Sequence, residues 1–352
     1  MGDGIRIGIG SDLVSPDGDA SLVSAAVETH LAPVSGLRWE TFGAPRAELM
    51  PDDVRDFDAV ITLWQRFTPR TFDGVERLAT IARWGVGYDM VDVDACTEHD
   101  VLLSITRDAV RRPVAEAILT VVLALAKRVL QNDRLVREGR WEEQGRELGL
   151  GLRGRVLGTI GVGNIGAELV GLLRPLGLAR LLAVDPYVSP DDAARLGVEL
   201  TDLETLLAES DFVCVNCPLT EATRHLIGAD ELRLMEPTAF LVNTARGPIV
   251  DEAALVRALE ERWIAGAALD VFEEEPLPAD SPLIGLENVI LSPHAIAWTD
   301  ELFALNGTGA CENALAVLRG EIPAHVVNRD VLERPGFKRK LSLLRERWEA
   351  TT

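Results

Sequence analysis

The stretch Gly161-Val162-Gly163-Asn164-Ile165-Gly166 constrains this chain more than any other. A G-x-G-x-x-G alone recurs in many turns, so its surroundings decide what it means. Here the β-branched run VLGTI precedes it and the helical stretch AELVGLLRPLG follows it. The next apolar run, LLAV, ends in Asp185, nineteen residues after Gly166. Strand, glycine turn, helix and strand make one parallel βαβ unit. The glycines let the backbone approach a pyrophosphate, whose charge the helix amino terminus favours, and Asp185 falls where a carboxylate accepts the hydroxyls of an adenosine ribose. The unit reads as dinucleotide-binding. With no arginine in Pro186-Tyr187-Val188 to receive a 2′-phosphate, NAD is favoured over NADP, and Arg180, before the strand, is the nearby opposing cation.

The same alternation runs through most of the chain and predicts an α/β class, with two doubly wound parallel-sheet domains, Rossmann or flavodoxin-like, and a cleft between them. A first set of strands reads at IRIGIG, LRWETF, DAVITLW, LATIARWG and VLLSIT. A second set reads at VLGTIGVG, LLAVDPY, DFVCVNC, AFLVNTARG, AGAALDV and NVILSPH. One long helix, PVAEAILTVVLALAKRVLQNDRLVREG, lies between them, with Pro113 in its first turn where proline is tolerated. A helix over roughly Leu302 to Arg319 follows the last strand and can return to the first domain. The expected division is 1–107 with 299–330 as a discontinuous substrate domain, 108–298 as the NAD-binding domain, and 331–352 as a charged tail, read as a surface helix or a partly disordered segment.

Composition narrows the partners. A balance of 35 basic against 56 acidic residues, −21 overall, argues against nucleic acid or an anionic membrane as partner. Any anionic ligand must then be held by a few locally placed cations. The start MGDGIRIGIG lacks the basic and apolar regions of a signal peptide, and Ala117–Ala126 is about half the length that spans a bilayer. Four cysteines without disulfide-like density suit a reducing cytoplasm. Cys214 and Cys217 form a C-x-x-C, but within a strand residues three apart face opposite ways, so no metal site is expected.

Three further segments end strands of the second domain, where ligands bind in doubly wound sheets. They are NTARG with Arg246, ALDVFEEEP with Asp270 and Glu275, and SPH with His294. Singly, Arg246 also reads as a surface ion pair, Asp270 as a cap and His294 as a loop histidine. Glu273 and Glu274 read as solvated turn residues.

Together these motifs resemble the D-isomer-specific 2-hydroxyacid dehydrogenases, from the first strand to Asn328. The resemblance rests on GVGYDMVD at Gly85–Asp92, VAEAILTVVLALAKR, LGTIGVGNIG, CPLTEATRHLI, NTARGPIVDEAAL, ALDVFEEEPLP and NVILSPHAIAWTDE, in the family's order. Arg246, Glu275 and His294 are separated by 29 and 19 residues. It implies that Arg246 binds the substrate carboxylate and carbonyl, that His294 is the acid in reduction and base in oxidation, and that Glu275 pairs with it. It implies further that Asp270 holds the nicotinamide carboxamide and that Pro218 and Thr223 line the adenine and pyrophosphate side. Cys217, Thr244, Ala245, Arg246 and His294 complete the cofactor contacts, beside Gly161, Gly163, Asn164, Ile165, Gly166 and Asp185. Val86, Gly87 and Tyr88 would offer backbone N–H groups to the substrate, and the region around Trp141 is where relatives dimerise, so a homodimer is expected.

Where many relatives carry small polar residues, this chain has Arg111-Arg112-Pro113. These arginines either recognise a second acidic group or pair with surface carboxylates; the acidic surface favours pairing. Trp64, Arg66 and Trp298 are expected to set side-chain selectivity. Two other functions share the fold: an NAD-sensing corepressor-like binding protein, and a formate- or phosphite-type dehydrogenase.

Overall fold

The computed structural model of the chain describes residues 4–14, 23–44 and 48–351; the first three residues of the amino-terminal stretch read above, and Thr352, lie outside them. Two compact units result, 1–110 with 299–352, and 111–298.

In the first unit, β1 (Ile5–Gly10), β2 (Leu37–Phe42), β3 (Ala59–Thr62), β4 (Thr80–Arg83) and β5 (Leu102–Ser104) form one parallel sheet in the order β2-β1-β3-β4-β5. β3 is buried at every position, and apolar up to its last residue Thr62, because a parallel strand is covered on both faces. Ile5, Ile7 and Ile61 pack with Ala310, Ala314 and Leu315 of the helix Asp300–Leu318, while Val60, Ile81 and Leu103 pack with Phe67 and Phe72.

The tail differs from the surface segment expected of it. Residues Pro335–Thr351 are a helix whose Phe337 and Leu344 are buried in the same core as Ile5. Its Arg347, together with Arg77, donates to the carboxylate of Asp58, whose side chain is 1% exposed. Lys340 Nζ donates to the carbonyls of Leu78, His99 and Asp100 at 2.7, 3.0 and 3.2 Å.

In the second unit, β6 (Val156–Ile160), β7 (Arg180–Val184), β8 (Glu199–Leu200), β9 (Phe212–Val215), β10 (Phe240–Asn243), β11 (Gly266–Leu269) and β12 (Val289–Leu291) run parallel in the order β12-β11-β10-β9-β6-β7-β8. β8, absent from the sequence reading, is a two-residue edge strand, too short to leave an alternation. The chain turns from one side of the sheet to the other between β6 and β9, which opens a crevice at their carboxyl ends.

The single helix expected over 113–139 is two. Arg107–Lys127 ends at Arg128, held at φ +54, and Val129–Arg137 follows. Pro113 lies inside the first of these, whose earlier residues Ala109 and Val110 are buried; that packing extends the helix back past the proline. Among the described residues, no helix is long and apolar enough to cross a membrane.

Candidate active site

The glycine turn sits at the crevice. A Cβ on Gly161 would lie 2.9 Å from the backbone of Asn216, and one on Gly166 would lie 2.5 Å from the Gly161 carbonyl oxygen. Side chains are excluded at both positions by packing. Gly163, in contrast, is exposed with nothing within 4 Å of an added Cβ, and it immediately precedes the helix Asn164–Leu173, which Asn164 and Ile165 begin. An open, side-chain-free approach to a helix amino terminus fits a pyrophosphate. Asp185 follows β7, with Oδ2 accepting the Val162 N–H and Oδ1 the Tyr187 N–H, both at 2.9 Å. Arg180 is engaged elsewhere, by Glu199 and Glu209. The residues present therefore fit NAD, with Asp185 held by the same backbone that forms the turn.

After β9, Cys217 is half-buried and Thr223 Oγ1 donates to the Pro218 carbonyl at 2.7 Å, folding the CPLTEAT turn on itself. Burial pushes the thiols up, Cys214 to about 12 and Cys217 to about 11, so neither is a thiolate nucleophile near neutrality.

β10, β11 and β12 are neighbours, and Arg246, Asp270 and His294 follow them in turn. Asn243, buried at the end of β10, accepts the Ala245 N–H at 3.1 Å and donates to the Arg246 carbonyl at 3.0 Å, shaping the turn through Thr244, Ala245 and Arg246. The Arg246 guanidinium donates to the Ala245 carbonyl at 2.7 Å. Asp270, 6% exposed, accepts the N–H groups of Ala295 and Ile296 at 2.9 and 3.1 Å. Burial raises its carboxyl above the ordinary range, opposed by Ser292, those amides and His294. His294 itself adopts φ +55, a left-handed backbone that is costly for a side chain larger than asparagine, and the Asp270 bonds hold the turn that contains it. Its Nδ1 lies 2.8 Å from Glu275 Oε2, while Glu275 Oε1 accepts the Phe272 N–H at 3.2 Å. The structure thus brings His294, Glu275 and Asp270 together within the second unit.

Glu274 is exposed, as read from sequence, but Glu273 is not simply a solvated turn residue. It lies 2.7 Å from His225 Nε2 and exchanges hydrogen bonds with Glu252. Arg111 and Arg112 pair with Glu168, and Arg112 also with Glu116, so both serve the surface ion pairs that the acidic composition favours. Trp298 is 42% exposed at the end of this unit.

In the first unit, the segment Gly85, Val86, Gly87 and Tyr88 follows β4. Gly85 has φ +119, and its N–H donates to Thr106 Oγ1 at 2.8 Å; Thr106 Oγ1 in turn lies 2.5 Å from Asn306 Oδ1. Arg83, 3% exposed, lies beneath this segment, its guanidinium 2.3 Å from where a Gly85 Cβ would be. Trp64 is half-buried with its N–H on Asp12, and Arg66 is exposed. Asp12, Arg83, Thr106, Asn243 and Asn306 were not singled out by sequence. Only Asn243 carried a usable signal, an asparagine at a strand end opening a turn.

Residues 119–295 match the family described as "D-isomer specific 2-hydroxyacid dehydrogenase, NAD binding domain". A glyoxylate reductase of Korarchaeum cryptofilum is 40% identical over 306 residues, covering 85% of this chain and 92% of that protein. One from Aeropyrum pernix is 39% identical over 308 residues, with the same coverage of 85% and 92%. Among solved structures, the TT0316 protein of Thermus thermophilus is 30% identical with a TM-score of 0.79, covering 92% of this chain and 100% of that one. A D-lactate dehydrogenase of Aquifex aeolicus, complexed with NAD and lactic acid, is 26% identical with a TM-score of 0.78, at 92% and 99% coverage. With its crevice, glycine turn and strand-end residues in one unit, the chain belongs to the D-isomer-specific 2-hydroxyacid dehydrogenase family, and its second unit is the NAD-binding domain of an NAD-dependent enzyme.

Proposed function

We propose that the chain interconverts a D-2-hydroxy acid and the corresponding 2-keto acid, with Arg246, Glu275 and His294 as its catalytic residues. The observation that carries this reading is the 2.8 Å pair between His294 Nδ1 and Glu275 Oε2, beside two adjacent strand ends. With Nδ1 engaged by a carboxylate, proton exchange with the substrate oxygen falls to Nε2. NADH, when bound, supplies the hydride for the carbonyl carbon. Arg246 offers a fork of donors to the substrate carboxylate and carbonyl, polarising the bond as charge builds on oxygen. Val86, Gly87 and Tyr88 of the first unit offer backbone N–H groups to a substrate carboxylate. Asp270 takes the carboxamide of the cofactor, and Trp64, Arg66 and Trp298 set side-chain preference.

Relatives named glyoxylate reductase support a small 2-keto acid as substrate. A second copy of the chain is the expected partner, supported by the exposure of Val129, Leu130, Val136, Trp141 and Leu148, between 47% and 82%. NADH oxidation with glyoxylate, hydroxypyruvate and phenylpyruvate, set against NAD reduction by formate or phosphite, tests the reaction class. His294→Ala should lower kcat by about a hundredfold or more. Wild-type protein inactive on every 2-keto acid, or a His294→Ala variant of undiminished rate, would sink the reading.

A further inference from the structure

The turn bearing Glu275 is tied down by a second histidine–carboxylate pair that the mechanism leaves unused. His225 Nε2 lies 2.7 Å from Glu273 Oε1. That oxygen also accepts the Glu252 N–H at 3.3 Å, and Glu252 Oε2 accepts the Glu273 N–H at 3.1 Å. Three segments meet here: the one containing His225, the start of the helix Glu252–Glu260, and the turn Phe272–Glu275.

Their backbones are already interlocked. The His225 N–H donates to the Pro248 carbonyl at 2.8 Å, Ile227 N–H to Ile249 at 3.2 Å, and Asp251 N–H to Ile227 at 3.0 Å. The segment after Arg246 therefore runs alongside 225–227. On its other side, Gly247 crosses the Phe272–Glu273 peptide so closely that a Cβ there would sit 1.9 Å from the Phe272 carbonyl carbon. Arg246 immediately precedes this crossing, and Glu275 follows it by a few residues. The His225–Glu273–Glu252 contacts close the crossing from outside.

We propose that His225 and Glu273 are positioning residues, clamping the Arg246 turn against the Glu275 turn and so fixing the guanidinium relative to the His294–Glu275 pair. The assignment rests on the catalytic roles proposed above for Arg246, Glu275 and His294. The side chains of His225 and Glu273 are 46% and 36% exposed, a setting in which such a contact adds little to global stability. Its loss should register as misplacement of reacting groups, where a displacement of about 1 Å can cost up to about a hundredfold in rate.

The variants separate contact from conformation. His225 holds φ +50, which asparagine tolerates, so His225→Asn keeps the backbone but falls short of Glu273. Glu273→Gln keeps an acceptor oxygen for both partners; Glu273→Ala removes it. Using glyoxylate and NADH, His225→Asn and Glu273→Ala should each lower kcat/KM for glyoxylate by about tenfold. Tm and the Kd for NADH should stay at wild-type values, and Glu273→Gln should stay within about twofold of wild type. Glu274→Ala, at an exposed neighbour, is the control. If Glu273→Ala and His225→Asn match that control, or lower Tm alone, the clamp is wrong. His294→Ala, run alongside, isolates the underlying reading: if it remains active, the catalytic roles fall and the clamp falls with them. If it is inactive while Glu273→Ala behaves as wild type, the clamp alone is overturned.

Discussion

Alanine at Gly163 and at Gly166 should separate a glycine kept for a ligand from one kept for packing. A Cβ on Gly166 would sit 2.5 Å from the Gly161 carbonyl oxygen, whereas ordinary contact begins at 3.4 Å. The backbone must then move by about 0.9 Å, overpacking of a kind that costs about 1–3 kcal/mol. Gly163 has nothing within 4 Å of the added methyl, and its backbone is extended, with φ −65 and ψ −150. Folding should lose no more than about 1 kcal/mol there, the cost of a poorer helix cap. The methyl would instead occupy the space through which a pyrophosphate reaches the helix Asn164–Leu173. Loss of one charge-assisted hydrogen bond to an amide, about 1.5–3 kcal/mol, corresponds to a KM for NADH raised about ten- to a hundredfold. Steady-state titration of NADH at fixed glyoxylate, beside thermal melts of both variants, reads the two effects independently. Gly163→Ala with a wild-type KM for NADH, or with a loss of Tm equal to that of Gly166→Ala, would refute the reasoning.

Two further outcomes follow from charged groups. Asp185→Asn removes the charge that repels a 2′-phosphate yet keeps one acceptor for the Val162 or Tyr187 N–H; the kcat/KM ratio of NADPH to NADH should rise by about tenfold or more, and an unchanged ratio would remove Asp185 from cofactor choice. Lys340 is held down to about 8 from 10.5, by burial first, with Asp100 and Glu76 opposing. Its folded state sheds the proton earlier than the unfolded state, so the buried ammonium costs stability below about pH 8 and the cost is relieved as pH climbs towards 10.5. Urea unfolding at pH 7 and pH 10 should show the wild type gaining on Lys340→Met by no more than about 3 kcal/mol; an equal offset at both values would contradict a depressed ammonium.

What the sequence revealed and concealed divides along physical lines. Strands buried on both faces, such as AVIT at Ala59–Thr62, announce themselves by apolar runs, and the glycine turn by its place between strand and helix. Arg128 ends a helix in a left-handed conformation that arginine does not advertise, so the break after Lys127 was invisible. The tail misled through its charge: Lys340 and Arg347 are spent on carbonyls and on Asp58, while Phe337 and Leu344 enter the core. The pairing of Glu275 with His294 was legible because a motif carries both residues. Glu273 was not, since its partner His225 comes from a segment distant in sequence, as Thr106 and Asn306 are from each other.

The packing of Ala310, Leu315, Phe337 and Leu344 against Ile5 and Ile7 also governs the order in which this chain can fold as it is made. Residues 111–298 form a contiguous unit and can close as soon as they leave the ribosome. The first sheet, although its strands precede that unit, lacks part of the cover over one apolar face until the helices Asp300–Leu318 and Pro335–Thr351 emerge, a wait of the order of tens of seconds at ordinary translation rates. During that interval the face carrying Ile5, Ile7 and Ile61 is the surface most in need of a chaperone, and the domain begun first is the one completed last.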